Sequence, residues 1–270
     1  MADTILWITG ATEGIGLGLA RNQPFGEARI INLSRRPHPD YESVEFDLTR
    51  PETWDAVRRH LREELARFTG KRAIFIQNAY YSQGVGLLHK VPADRYAHSV
   101  VANVAAPLVL GQAFIDACPP GLDAGLVLLS SGAAVSPLEG LASYCAGKVA
   151  IEHWAEVAAR ERESRGAGPW VVAVRPGGVD TAPVRALADW DPELYPRARA
   201  IKDNIVNRLD IDSAARRIWS ALPPPPGVAV ISFAPAPAEP AYRFGGERVQ
   251  TLDDGSWRLV YATEGEVVRR

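Results

Sequence analysis

Apolar residues fall into two alternating patterns along this chain. Short, almost unbroken apolar runs occupy residues 5–8, 29–33, Arg72–Gln77, 125–129, 170–174 and 228–233. Between them lie stretches in which apolar residues return every three or four positions, at 16–22, 51–68, Ala93–Ala117 and 143–165. An unbroken run suits a strand covered on both faces, and the longer period suits a helix with one buried stripe. Pro51 sits in the opening turn of its helix, and Pro107 predicts a kink or break in the middle of another. Strand–helix alternation of this kind predicts an α/β fold, a doubly wound parallel sheet in a three-layer αβα sandwich.

Two stretches leave this rhythm. Residues 182–211 are richer in Trp, Tyr, Pro and charge, follow a strand, and should lie over the carboxyl edge of the sheet as a substrate lid. Pro223-Pro224-Pro225-Pro226 leads rigidly into the last apolar strand. We therefore expect one domain over residues 1–234 and a C-terminal extension over 235–270. In the extension a Pro/Ala linker at 235–240 precedes two candidate strands, 247–252 and 257–262, flanking Asp253-Asp254-Gly255-Ser256 as a hairpin.

Composition narrows the function classes. The chain has 270 residues, 47% of them hydrophobic, and a formal charge of −2, which gives no reason to expect nucleic acid or an anionic membrane as partner. Its two cysteines, Cys118 and Cys145, have no metal-type spacing, and its five histidines are scattered, so no metal site is expected. The start, Met1-Ala2-Asp3-Thr4, lacks the basic segment of a signal peptide, and no run approaches a bilayer span. The expectation is a cytoplasmic protein.

Thr9-Gly10-Ala11-Thr12-Glu13-Gly14-Ile15-Gly16 joins the first strand to the first helix. Glycines there permit a tight turn, and the free N–H groups of a helix start can receive a pyrophosphate. At the end of the second strand the chain reads Ser34-Arg35-Arg36 with no carboxylate, which favours the 2′-phosphate of NADP(H) over the 2′-hydroxyl of NAD(H); the charge of Glu13 weakens that preference slightly. Further on, Tyr144 and Lys148 stand four residues apart, one turn of a helix. A phenol has a pKa of about 10, and a nearby cation would lower it, so the pair reads as a general acid–base site.

With these motifs in place the chain resembles the short-chain dehydrogenase/reductase family over roughly residues 4–233, which implies a Rossmann fold. The glycine turn matches the family's Thr-Gly-x-x-x-Gly-Ile-Gly, and Tyr144 and Lys148 match Tyr-x-x-x-Lys. By this resemblance Ser131, thirteen residues before Tyr144, is the catalytic serine, and Asn103 is the asparagine that positions water for proton resupply. Asp47-Leu48 falls where the family contacts adenine. Asn78-Ala79 matches the middle of its Asn-Asn-Ala-Gly, with Gln77 and Tyr80 departing at the ends. Pro176, Gly177, Val179 and Thr181 match its nicotinamide-side loop, where Thr181 would bind the carboxamide.

Ser130-Ser131-Gly132-Ala133-Ala134, Tyr144-Cys145-Ala146-Gly147-Lys148 and Gly178-Val179-Asp180-Thr181 look most like the sepiapterin-reductase and benzil-reductase branch. That implies NADPH-dependent reduction of a ketone or dicarbonyl, with Tyr144 as general acid. Tyr80, Tyr81, Trp190 and Tyr195 are candidates for the substrate pocket. The family also implies a homodimer or homotetramer, often built on the helix that carries Glu152, Trp154 and Val157. Two alternatives stay open: an alcohol dehydrogenase working in the oxidative direction, and a non-catalytic dinucleotide-binding regulator, suggested by the altered Gln77-Asn78-Ala79-Tyr80 and the unusual tail.

Overall fold

The computed structural model describes residues 2–193, 195 and 198–234, together with the backbone of two strands further on. Seven strands lie parallel: β1 (Thr4–Thr9), β2 (Ala28–Ser34), β3 (Glu42–Glu45), β4 (Arg72–Gln77), β5 (Asp123–Leu129), β6 (Trp170–Arg175) and β7 (Val230–Ser232). Their order across the sheet is β3-β2-β1-β4-β5-β6-β7. The chain winds outward from β1 to β3, then returns to β4 on the other side of β1. This reversal leaves a crevice at the carboxyl ends of β1 and β4, where ligands of open α/β sheets bind. Successive side chains of β1 explain its apolar run: Ile5 and Trp7 enter one core layer, Leu6 and Ile8 the other.

Helices cover both faces. α1 (Gly14–Arg21) and α8 (Ile211–Ser220) pack on one, with Leu19, Ile218 and Trp219 in the core. On the other face lie α2 (Pro51–Arg67), α3 (Ala93–Val100), α4 (Ala106–Ala117) and α5 (Ala142–Arg165). Leu61, Phe114 and Ile151 anchor α2, α4 and α5 there. The doubly wound αβα sandwich expected from the apolar pattern is the observed fold.

Two elements were not foreseen. β3 is a polar edge strand, Glu42-Ser43-Val44-Glu45, with no apolar alternation to reveal it. α8 is short, yet it carries an N-cap that could have been read, because Asp210 Oδ1 accepts from Ser213 N at 2.8 Å.

Between α3 and α4 the backbone does not break at Pro107. It widens to one π turn, Val101–Ala105, and continues. Pro107 has no N–H to give the carbonyl four residues earlier, Asn103, and an inserted π turn absorbs that mismatch. The stretch Ala93–Ala117 has 25 residues and holds an 18-residue window of mean hydropathy 1.6, so by length and apolarity it does reach the range of a bilayer span, contrary to expectation. Here Ala106, Leu110 and Phe114 spend that apolarity on the sheet.

The segment expected to form a lid contains α6 (Ala182–Ala188) and α7 (Ala198–Asp203), and returns to the sheet edge through a parallel bridge between Val179 and Leu209. β8 (Glu247–Thr251) and β9 (Trp257–Tyr261) pair antiparallel, and β9 meets β7 at Ser232–Trp257. The expected turn at 253–256 and the linker at 235–240 lie outside the described residues.

α1 and α8 meet at a glycine. A Cβ on Gly18 would stand 2.5 Å from the backbone oxygen of Ile211, an atom that cannot rotate away. Gly18→Ala should therefore destabilise the fold by about 1–3 kcal/mol despite alanine's better helix propensity. Urea unfolding reads this as a lower midpoint; an unchanged midpoint would refute the close approach.

Candidate active site

The glycine turn is held open by its neighbours. Gly10 and Gly14 adopt φ of 71° and 59°, conformations that side-chain-bearing residues rarely take. The Thr9 hydroxyl accepts from the backbone N–H of both Asn78 and Ala79 at 2.9 Å, tying the end of β1 to the loop after β4. Asn78 Nδ2 donates to Thr9 O at 3.1 Å. Asn32, fully buried in β2, was not singled out from sequence, yet it accepts from Ala11 N at 3.0 Å and donates to Ser34 Oγ and the Arg36 carbonyl at the same distance. One amide thus fixes both the turn and the loop beside it. Gly16 proves to be a packing residue: a Cβ there would stand 2.2 Å from Gly10 O, and the residue does not border the cleft.

That cleft, about 440 Å³, runs from the glycine turn to α5 and is bordered by all the other residues expected to hold the dinucleotide. At its adenosine end Arg36 pairs with Glu13 at 3.0 Å, both exposed, so the acidic residue of the turn lies against the cation meant for a phosphate. Ser34 Oγ donates to the Arg36 carbonyl at 2.5 Å and shapes that corner. The Asp47 carboxylate accepts from the N–H and hydroxyl of Thr49, at 2.9 and 2.8 Å, and Leu48 beside it supplies an apolar surface.

Ser131, Tyr144 and Lys148 border the same cleft beyond the turn. Ser131 sits at the end of β5 and caps a short 3-10 helix, Gly132–Ala134, by accepting from Ala133 N at 3.2 Å. Tyr144 lies in the first turn of α5 with Lys148 one turn on, its Nζ 5.4 Å from the phenol ring centre and donating to Leu129 O at 2.5 Å. Burial pushes the Tyr144 pKa up, and the Ser131 hydroxyl offsets only part of this. The expected lowering by Lys148 is therefore overridden by desolvation, and the phenol holds its proton at neutral pH. Burial brings Lys148 down to about 8, against the opposing pull of Glu152.

The side-chain amide of Asn103, the residue expected to position water, is taken up by its neighbours. Asn103 lies in the π turn and does not border the cleft. Its amide accepts from Tyr81 N at 2.8 Å, and donates to Tyr81 O at 2.9 Å and to Ser99 Oγ at 3.1 Å. The side chain holds the Tyr80–Tyr81 loop in place. Gln77 Nε2 braces the same region by donating to the Pro107 carbonyl at 2.8 Å.

Three of the four aromatic candidates, Tyr80, Tyr81 and Tyr195, border the cleft. Tyr80 packs on Tyr144 with ring centres 5.1 Å apart, and its own pKa is raised by burial. Tyr195 is buried against Gly140. Trp190 does not reach the cleft; it packs on the lid cluster of Leu187 and Tyr195. Arg208, not singled out from sequence, also borders the cleft, beside Gly178; an arginine in a charged stretch carries no motif.

The contact at Gly16 gives a direct test of the turn. Gly16→Ala must open it, and isothermal titration with NADPH should read binding about tenfold or more weaker. Equal affinity would refute the role given to this contact.

Comparison with known proteins agrees with this geometry. A family model described as short chain dehydrogenase matches residues 4–192. The chain is 23% identical to a benzil reductase ((S)-benzoin forming) from Bacillus cereus, over 73% of this chain and 85% of that one. It is 32% identical to a sepiapterin reductase from Xenopus laevis, over 65% and 67% respectively. A short chain dehydrogenase from Burkholderia cenocepacia, solved in complex with NADP, has the same fold, with TM-score 0.63 and 22% identity over 82% of this chain and 90% of that one. A nucleotide crevice at the β1–β4 reversal, a serine at the end of β5 and a tyrosine–lysine turn on α5 are thus accompanied by a family match over most of the chain, and the protein belongs to the short-chain dehydrogenase/reductase family of oxidoreductases.

Proposed function

We propose that this chain is an NADPH-dependent reductase of uncharged ketones or dicarbonyls. The observation that carries the reading is the meeting of Ser131, Tyr144 and Lys148 in one cleft with the glycine turn. The residues present fit a dinucleotide. Gly10 and Gly14 leave the turn free of side chains, with only the Thr181 side chain within 4 Å of where a Gly14 Cβ would stand. Ser34, Arg35 and Arg36 at the end of β2 offer two cations to a 2′-phosphate, which would compete with Glu13 for Arg36. Gly177, Val179 and Thr181 would hold the nicotinamide side. When bound, the cofactor supplies the hydride.

The chain's own residues handle the oxygen and the proton. Ser131 and Tyr144 would hydrogen-bond the substrate carbonyl, and Tyr144 would give its proton to the oxygen as negative charge develops there. A phenol kept protonated by burial suits a donor, and this favours reduction over oxidation. Lys148 in its charged form would stabilise the tyrosinate left behind and hold the nicotinamide ribose. Given the occupied amide of Asn103, its contribution would be to fix the Tyr80–Tyr81 loop.

The substrate half of the cleft points to its ligand class. Leu138, Leu141, Leu187, Ile201 and the rings of Tyr80 and Tyr195 surround it, and they present aromatic and aliphatic surface without a formal charge. An aryl-bearing or alicyclic ketone suits these walls, whereas a carboxylate or phosphate would be desolvated among them unless it reached Arg208 beside Gly178. A second copy of the chain would find exposed apolar side chains at Val109 on α4 and Val157 on α5.

Purified protein should oxidise NADPH in the presence of aryl ketones or diketones, and more efficiently than NADH. Tyr144→Phe should lower kcat by about 10²–10⁴ with NADPH affinity retained. Turnover that survives this substitution would overturn the mechanism, and cofactor binding without turnover on any carbonyl would favour the regulator. Because Lys148 keeps its proton below about 8 and loses it as pH rises through that value, reductive kcat/KM should fall on the alkaline side with an inflection near there. A profile flat through that region would contradict the role of Lys148.

A further inference from the structure

Behind the cleft, and not bordering it, lies a fully assembled buried ion pair. Glu152 is one turn beyond Lys148 on α5 and 6% exposed; Arg175, the last residue of β6, has no exposed surface. The pairing is bidentate, Arg175 Nε to Glu152 Oε1 at 2.7 Å and Arg175 Nη2 to Oε2 at 2.5 Å. Ser130 Oγ donates to the same Oε1 at 2.5 Å. Each partner adjoins a functional segment. Ser130 precedes Ser131, and its N–H donates to Val174 O at 2.7 Å. Arg175 precedes Pro176-Gly177, and its carbonyl accepts from Phe233 N at 2.9 Å. Glu152 shares its helix with Tyr144 and Lys148.

We propose that Glu152 is a positioning residue of this site: its carboxylate, clamped by Ser130 and Arg175, locks the three segments that carry Ser131, Lys148 and Pro176-Gly177 to one another and keeps Lys148 cationic. This rests on the reading of Tyr144 and Lys148 given above. The fold alone has no need of charge here, since buried ion pairs are commonly no more stabilising than apolar side chains of similar size. What an apolar pair could not supply is a fixed negative charge one turn from a lysine that burial drives towards neutrality.

The groups around Lys148 support this assignment. Its own helix contributes Tyr144 and Glu152, and Glu152 is the charge that favours its protonated form. From β5 and the 3-10 turn come the Leu129 carbonyl and the hydroxyls of Ser130 and Ser131. β6 contributes Arg175, already engaged by Glu152. The π turn brings Asn103, neutral and bonded to Tyr81 and Ser99. α3 brings Ser99 to Ser143 at 3.0 Å, while its His98 lies against Tyr81. The loop after β4 adds the neutral phenol of Tyr80.

The test is a titration that does not depend on turnover. Protein labelled at lysine Cε is followed by carbon NMR across alkaline pH, with the Lys148 signal identified by its loss in Lys148→Arg. Glu152→Gln keeps the shape and removes the charge, so the Lys148 pKa should fall by about one unit. The alkaline limb of reductive kcat/KM should move to lower pH with it, and Glu152→Asp should recover part of the shift. Should Glu152→Gln fail to fold, the double variant Glu152→Leu/Arg175→Met removes both charges. It should unfold near the wild-type temperature while keeping the acid-shifted titration and a lowered kcat. A Lys148 titration unchanged in whichever variant folds overturns the proposal. Turnover surviving Tyr144→Phe would instead overturn the catalytic reading, and the titration would still judge Glu152.

Discussion

Parallel strands deliver their carboxyl ends to a single edge, and nearly everything this protein can do follows from that constraint. β1, β2, β4, β5 and β6 stop within one crevice, so residues far apart in sequence, Gly10, Arg36, Asn78, Ser131 and Gly177, become neighbours without any loop having to search for them. The crossover that produces this arrangement needs helices on both faces, and the helices need the apolar stripes that fill the two cores. Precision is then added by a few buried polar groups. Thr9, Asn32 and Asn78 each join two strand ends, and buried amides or hydroxyls that are fully hydrogen-bonded define one geometry where apolar contacts would allow several.

The two halves of the cleft obey different electrostatics. The end beside the glycine turn is exposed and charged, and on the proposed reading the surface ion pair of Arg36 with Glu13 is weak enough for an incoming phosphate to displace. The α5 end is enclosed. There desolvation dominates, raising the Tyr144 phenol and lowering Lys148. On the proposed reading, a neutral donor beside a marginal cation suits proton delivery: the charge that matters is created during the reaction, where preorganised neighbours have most leverage.

Much of this was legible in the sequence because strands buried on both faces write an unmistakable apolar signature, and because the glycine turn and Tyr144/Lys148 carry their own spacing. What escaped notice has physical reasons. β3 is a polar edge strand and leaves no pattern. Pro107 marked a kink or break, and backbone relaxation into a π turn kept the helix running. Asn103 and Gly16 were correctly located in sequence, yet spacing does not reveal which way an amide faces or whether a glycine is needed for contact or for room. The sign of the Tyr144 shift depends on how much protein surrounds the phenol, a quantity that exists only after folding. Glu152 and Arg175 belong to different elements and meet only in three dimensions.

The antiparallel strand pair beside β7 changes where the sheet ends. β7 has only three residues, and without a neighbour its outer N–H and C=O groups would present a template on which another chain could add a strand. β9 occupies part of that template through Ser232, and β8 moves the boundary of the sheet one strand further out. The place where another strand could add therefore moves from the three residues of β7 to the five of β8.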